Sequence, residues 1–123
     1  MAQYPRISEA EWEILKALWK RAHQTANELA ERLAPKNDWS PRTVRTRINR
    51  LFAKGALKRV KRGRAFQFKP RVQESECVLA ATESFLDRVF DGHLNPMVAH
   101  LVEHKKLTRR QIDELKRILD EEG

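Results

Sequence analysis

The chain has 123 residues, enough for one domain or two small ones, and a formal net charge of +8. Its single cysteine, Cys77, excludes an intramolecular disulfide and a cysteine-rich metal cage. No apolar run approaches transmembrane length, and residues 1–7 lack the apolar core of a signal peptide, so we expect a cytoplasmic protein with no membrane partner.

The charge is divided unevenly along the chain. Residues 1–72 carry 18 Lys+Arg against 6 Asp+Glu, whereas residues 73–123 carry 7 against 11. No acidic residue occurs between Asp38 and Glu74, a window that holds twelve basic side chains with apolar residues at regular intervals among them. This pattern predicts a folded surface that faces a polyanion. By charge alone, nucleic acid is the first candidate partner, and an acidic membrane surface or an acidic protein is the second.

Two helices are predicted ahead of this window, each opened by a capping box in which side chains and backbone N–H groups pair reciprocally. Ser8 with Glu11 opens the first helix, and Thr25 with Glu28 opens the second. We expect the second helix to end at Pro35, because proline lacks the N–H that would continue the hydrogen-bond ladder.

A third helix and a hairpin follow. Ser40 is the predicted N-cap of the helix and Gly55 its C-cap. Strand-like runs at 57–62 and 65–70 are joined by a short turn. Three helices and a hairpin predict a winged helix-turn-helix DNA-binding domain in residues 1–72.

The second half is predicted to be a helical dimerisation domain, residues 73–123. Its three helices run from about Gln73 to Phe90, from Pro96, and from Thr108. The chain is therefore mostly α. This half is small and has few large core side chains, so we expect its apolar stripes to pack against a second copy. The predicted dimerisation residues are Phe85, Val89, Leu101, Ile112, Leu115, Ile118 and Leu119.

The third helix has two faces. With about 100° between successive residues, Val44, Ile48 and Leu51 point into the core. The opposite face can enter a major groove, where Arg pairs with guanine, Asn with adenine, and Thr meets a thymine methyl or a phosphate. The predicted DNA contacts on this helix and the hairpin are Arg42, Thr43, Arg45, Thr46, Arg47, Asn49, Arg50, Lys54, Arg62 and Arg64. The plainer alternative is a solvated basic face and an ordinary charged hairpin.

Signals for catalysis are absent from the sequence. It contains no recognisable nucleophile–base pair, no phosphate-binding glycine loop and no His-Glu metal signature, so we predict no enzyme activity and no cofactor. The one hint of a metal is the pair His100 and His104, at i and i+4 of a helix. Spacing fixes no third ligand, and we expect solvent-facing or interface histidines rather than a metal site. A metal enzyme that uses this pair remains the alternative.

Several of these segments together resemble the penicillinase-repressor family of bacterial regulators, the BlaI/MecI/CopY type. The likeness runs from about Ile7 to Glu122. The segments that carry it are Ser8–Leu15 with Trp19, Thr43–Thr46, Arg50-Leu51, Lys54-Gly55 and Arg62–Phe66.

The resemblance implies a homodimeric repressor that binds a dyad-symmetric operator through two winged helices. Thr43, Arg45 and Thr46 inherit the operator-contact role by motif match. Arg47 stands where the family usually has leucine; its stem could pack while its head reaches a phosphate.

The resemblance also bears on regulation. The copper-responsive branch carries a C-terminal cysteine cluster that this chain lacks, so copper sensing by that route is not expected. The β-lactam-responsive branch is inactivated by proteolysis next to an asparagine in the dimerisation half. The corresponding stretch here is Val98–Leu101, with His100 in the asparagine's place, which leaves a sensor protease open as a partner. We expect derepression by loss of the dimer.

One competing interpretation uses the same basic face. A non-specific nucleic-acid-coating protein would grip phosphates without reading bases. It would bind a palindrome and a random duplex alike.

Overall fold

A computed structural model describes residues 6–122 of the chain. These residues divide into an N-terminal unit, which ends at Leu79, and a C-terminal unit, which begins at Ala80. The elements are, in chain order, α1 (Glu9–Lys20), β1 (Gln24–Thr25), α2 (Ala26–Asn37), α3 (Pro41–Ala53), β2 (Leu57–Arg62), β3 (Ala65–Pro70), α4 (Glu74–Phe90), α5 (Leu94–Glu103) and α6 (Arg109–Glu122). The predicted class is confirmed: the chain is mostly helical, with a winged helix-turn-helix followed by three helices.

Side-chain caps begin the first three helices. In the capping boxes of α1 and α2, Glu11 N donates to Ser8 Oγ at 3.2 Å and Glu28 N donates to Thr25 Oγ1 at 3.1 Å. At the start of α3, Thr43 N donates to Ser40 Oγ at 3.1 Å. Each cap satisfies a backbone donor that has no partner inside its helix, so the three predicted helix starts are confirmed.

Two prolines lie inside helices rather than at their boundaries. The prediction that α2 ends at Pro35 was wrong, because the helix continues to Asn37. Pro35 is exposed near the C-terminal end, where the carbonyl it leaves without a donor can meet water, and the helix ends where Asp38 adopts a left-handed φ of 56°. Similarly, α5 begins at Leu94, two residues before the predicted Pro96. A first-turn proline costs little, since its N–H would lack a partner there anyway.

Gly55 turns the chain from α3 into the wing. Its φ is +82°, a left-handed conformation that glycine adopts without strain. Gly55 N donates to Phe52 O and Ala56 N to Leu51 O, both at 3.0 Å. This pair of bonds is the Schellman arrangement, which confirms the predicted helix end and fixes the direction of β2.

The sheet has three antiparallel strands in the order β1-β3-β2. Strands β2 and β3 form the predicted hairpin, with Leu57 opposite Pro70 at the base and Arg62 opposite Ala65 at the tip. Strand β1 was not predicted; it pairs Gln24 with Phe68 and ties the wing to the segment between α1 and α2.

The core lies in the N-terminal unit. α1, α2 and α3 enclose it, and the base of the sheet closes it. Buried Cys77, at the start of α4, has a pKa raised by burial and by nearby Glu76, so it is a packed thiol rather than a reactive one. The buried apolar side chains are Ile14, Leu15, Ala17, Leu18, Leu29, Ala30, Leu33, Ala34, Val44, Ile48, Leu51, Ala56, Leu57 and Phe68.

The C-terminal unit is different. Among the described residues 80–122, no side chain is fully buried. Thr108 begins α6 as predicted, since Gln111 N donates to its Oγ1 at 3.1 Å and Thr108 N donates to Gln111 Oε1 at 2.9 Å. Within residues 6–122, none of the helices combines the length and the apolar character needed to cross a bilayer.

Candidate nucleic-acid interface

The faces of α3 are as predicted from its periodicity. Val44, Ile48 and Leu51 are buried in the core. The predicted DNA-contact residues on the rest of the helix divide by exposure: Thr43 and Arg47 are half-buried, and Arg42, Arg45, Thr46, Asn49 and Arg50 are exposed. α3 therefore presents a ridge of cations and hydrogen-bonding side chains on a rigid, core-anchored helix.

The two threonines of this ridge are held by local hydrogen bonds. Thr43 Oγ1 lies 3.0 Å from the capping hydroxyl of Ser40. Thr46 Oγ1 donates to Arg42 O at 3.0 Å. The Thr46 hydroxyl can still accept from outside, and the exposed side chain keeps its methyl group available for an apolar contact.

Arg45 is oriented by the preceding helix. Its Nη2 donates to Asn27 Oδ1 of α2 at 2.6 Å. A guanidinium has five N–H donors, so this bond holds the side chain and leaves the remaining donors for a ligand. Asn27 was not predicted as part of the site, because the pairing spans 18 residues and depends on the packing of α2 against α3.

Arg47 lies at the edge of the buried face. The residue is half-buried, and its Nε is enclosed without a hydrogen-bond partner among the described residues. Its stem thus packs as the sequence suggested.

Lys54 forms an ion pair within the protein. Its Nζ lies 2.5 Å from Oε1 of buried Glu11 and donates to Arg6 O at 2.8 Å. Burial opposes ionisation of Glu11, but hydrogen bonds from Lys54 and Ser8 outweigh it, so the pKa of this carboxyl is lower than usual. The charge of Lys54 is therefore partly neutralised within the fold, which sequence reading missed because Glu11 is 43 residues away.

The wing carries the remaining cations. Arg62 and Arg64 are exposed on either side of Gly63, at the tip of the hairpin, and Lys58 and Lys61 are exposed along β2. The structure thus places both predicted wing residues where an external polyanion can reach them.

Arg59 joins the wing to α3. Its Cζ lies 4.3 Å from the ring centroid of Phe52 in α3 and 4.4 Å from that of Phe66 in β3. Both distances are within the range of cation–π attraction. Sequence reading placed Arg59 only among the general basic charges, since nothing in the local pattern brings these two rings to one guanidinium.

The predicted dimerisation residues lie in the C-terminal unit. Leu101 and Ile112 are half-buried. The other five are 40–68% exposed: Phe85, Val89, Leu115, Ile118 and Leu119. Large apolar side chains at this exposure are available for contact with another protein surface.

The chain is similar to known repressors over nearly its whole length. The sequence model of the family described as penicillinase repressor matches residues 7–121. The chain is 40% identical to the penicillinase repressor of Bacillus licheniformis over 121 residues, which are 98% of this chain and 94% of that protein. It is 37% identical to the methicillin resistance regulatory protein MecI of Mammaliicoccus sciuri over 114 residues, 93% of each.

A solved structure resembles the N-terminal part. It is the solution structure of monomeric Bacillus licheniformis BlaI in complex with the blaP half-operator. The match has 41% identity and a TM-score of 0.54, and it covers 62% of this chain and 93% of that one.

Proposed function

The chain belongs to the penicillinase repressor family, and we propose that it is a sequence-specific DNA-binding repressor that places α3 in the major groove of an operator. The observation that carries this proposal is the exposed ridge of α3, which is anchored on the core by Val44, Ile48 and Leu51. The half-operator complex of the similar BlaI chain supports DNA as the partner.

Individual side chains of the ridge have different roles in this proposal. Arg45, Thr46 and Asn49 are exposed at the middle of the helix and face the bases. Arg42, Thr43, Arg47 and Arg50 flank them and contact phosphates. Lys54, already paired with Glu11, contributes less than the others.

The wing supplies a second set of contacts. Arg62 and Arg64 project from the hairpin tip, where they can contact phosphates or enter the adjacent minor groove. Such contacts would add affinity and fix the orientation of α3, while the base readout stays with the helix.

A homodimer is the second part of the proposal. Residues 1–72 form the DNA-binding domain and residues 73–123 the dimerisation domain, whose exposed apolar side chains pack against the same surface of a second copy. Two-fold symmetry of the protein would match a dyad-symmetric operator. Since the proposed partner is operator DNA, the protein would act in the bacterial cytoplasm, by binding and without catalysis.

In this proposal, derepression is caused by loss of the dimer. Once one domain is bound, the tether raises the effective concentration of the other, so the pair binds far more tightly than either domain alone. Any event that opens residues 73–123 removes this gain without changing Arg45 or Thr46. Cleavage by a sensor protease near His100-Leu101 is one such event.

Selection from a pool of random DNA duplexes tests the function. The full-length chain should enrich a dyad-symmetric sequence with half-sites about one helical turn apart. With six to ten phosphate contacts, affinity for that sequence should fall by roughly 10³–10⁵ between about 50 and 200 mM salt. Enrichment of no sequence, with the same steep salt response, would support the non-specific coating protein instead.

A further inference from the structure

Three potential metal ligands lie together at the C-terminal end of α5. His100, Glu103 and His104 are all exposed, and one ligand atom from each lies within 4.8 Å of the other two. Positions i, i+3 and i+4 share one face of a helix, which explains why the three side chains converge. The DNA-binding proposal uses none of them.

A hydrogen bond already orients one of these histidines. His104 Nδ1 lies 2.9 Å from the backbone oxygen of His100. A carbonyl oxygen only accepts, so Nδ1 carries the proton in this contact, which leaves Nε2 as the ring nitrogen that can bind an ion. Metal-binding histidines almost always donate their second ring N–H to such an oxygen.

The spacing suits one ion after small side-chain rotations. The two imidazole centroids are 4.3 Å apart, with their planes at 41°. In a tetrahedral zinc site, bonds of about 2.0–2.1 Å put neighbouring ligand atoms roughly 3.3–3.5 Å apart. The present separations, up to 4.8 Å, can shorten because all three side chains are exposed.

We propose that His100, Glu103 and His104 bind one divalent transition-metal ion of the zinc type, with water at the remaining position. Two imidazoles and a carboxylate favour such an ion over Mg²⁺ or Ca²⁺, which prefer oxygen ligands. The ion links the last turn of α5 to its C-cap residue, His104, and stabilises that end of the helix.

Calorimetric titration of the full-length chain with Zn²⁺ tests the site. We expect one ion per chain, with an affinity independent of protein concentration because all three ligands belong to one helix. His100→Gln and His104→Gln should each weaken binding by at least about tenfold. The matched control is His93→Gln, an exposed histidine at the other end of α5, which should leave the affinity unchanged.

Thermal unfolding gives a second measurement, because an ion that binds only the folded chain raises its melting temperature. Zn²⁺ should stabilise the natural chain and the His93→Gln protein, but not a His100→Gln/His104→Gln double variant. Natural Zn²⁺ affinity in either single variant, or binding that strengthens with protein concentration, would overturn the proposal. The DNA-binding proposal does not depend on either of these results.

Discussion

Among single residues, ion-pair partners within the protein determine which cationic side chains are available to DNA. Arg62 and Arg64 look much like Lys54 in the sequence, since all belong to one basic window. In the fold, Lys54 pairs with Glu11, whereas the two arginines extend from the wing tip. Net charge alone could not separate them, because the partner of Lys54 lies in another helix.

Glu11 offers a prediction about stability and pH. Glu11→Gln should lower the free energy of unfolding by about 1–3 kcal/mol near neutral pH, because the ion pair between buried Glu11 and exposed Lys54 is lost. The capping box should survive, since glutamine can also fill that position. Urea unfolding of both proteins measures the difference, and Glu9→Gln, an exposed change in the same turn, should cost less than about 1 kcal/mol.

The sign of the pH effect follows from the lowered pKa of Glu11. A carboxyl that ionises more readily when folded stabilises the protein above its unfolded pKa, ordinarily 4.5. The stabilisation disappears as the pH falls from there through the folded pKa. The gap between the natural chain and Glu11→Gln should therefore be full above about pH 5 and shrink in more acid solution. A gap that grew in acid would refute the ion pair as its source.

At the scale of elements, the sequence predicts what local chemistry controls. Serine, threonine and glycine caps fixed the starts of α1, α2, α3 and α6 and the end of α3, because each acts within a few residues. Strand β1 was not predicted, because two residues are too few to show an alternating pattern. The end of α2 was predicted too early, at Pro35, because the sequence does not show that this proline lies in the last turns of the helix. The contacts of Arg59 and Arg45 required the tertiary packing of separate elements.

The Arg59 contact predicts how the wing is held against α3. In Arg59→Ala, backbone amides of the β2–β3 ladder, such as those of the Val60 and Gln67 pair, should exchange about 5- to 30-fold faster. This range corresponds to a loss of about 1–2 kcal/mol in the free energy that holds the ladder closed. Hydrogen exchange followed by NMR measures this directly.

Two further variants separate stacking from charge. Arg59→Lys keeps the charge but loses the planar group, so it should retain part of the protection that Arg59→Ala loses. Lys58→Ala, an exposed neighbour on the same strand, should leave protection unchanged. If Arg59→Ala retained full protection, the two-ring contact would not be what holds the wing.

For the intact protein, the proposed tight binding to a full operator depends on a dimer. Leu115→Asp places a charge among the exposed apolar side chains of α6 and should give a monomer in sedimentation experiments. Affinity for a full palindrome should fall at least about a hundredfold, because the tether advantage is lost, while half-site affinity should not change. The control, Arg117→Asp, puts the same side chain on the opposite face of α6. If the Leu115→Asp protein were still a dimer, the interface would not include Leu115.

The effect of Arg45→Ala on sequence specificity tests whether α3 reads bases. Binding of the full-length natural and variant chains should be compared on the selected operator and on a scrambled duplex, at one salt concentration. Arg45→Ala should cost about 1–3 kcal/mol on the operator and much less on the scrambled duplex, whereas Lys58→Ala should weaken both alike. Equal losses for Arg45→Ala on both duplexes would contradict base reading by α3.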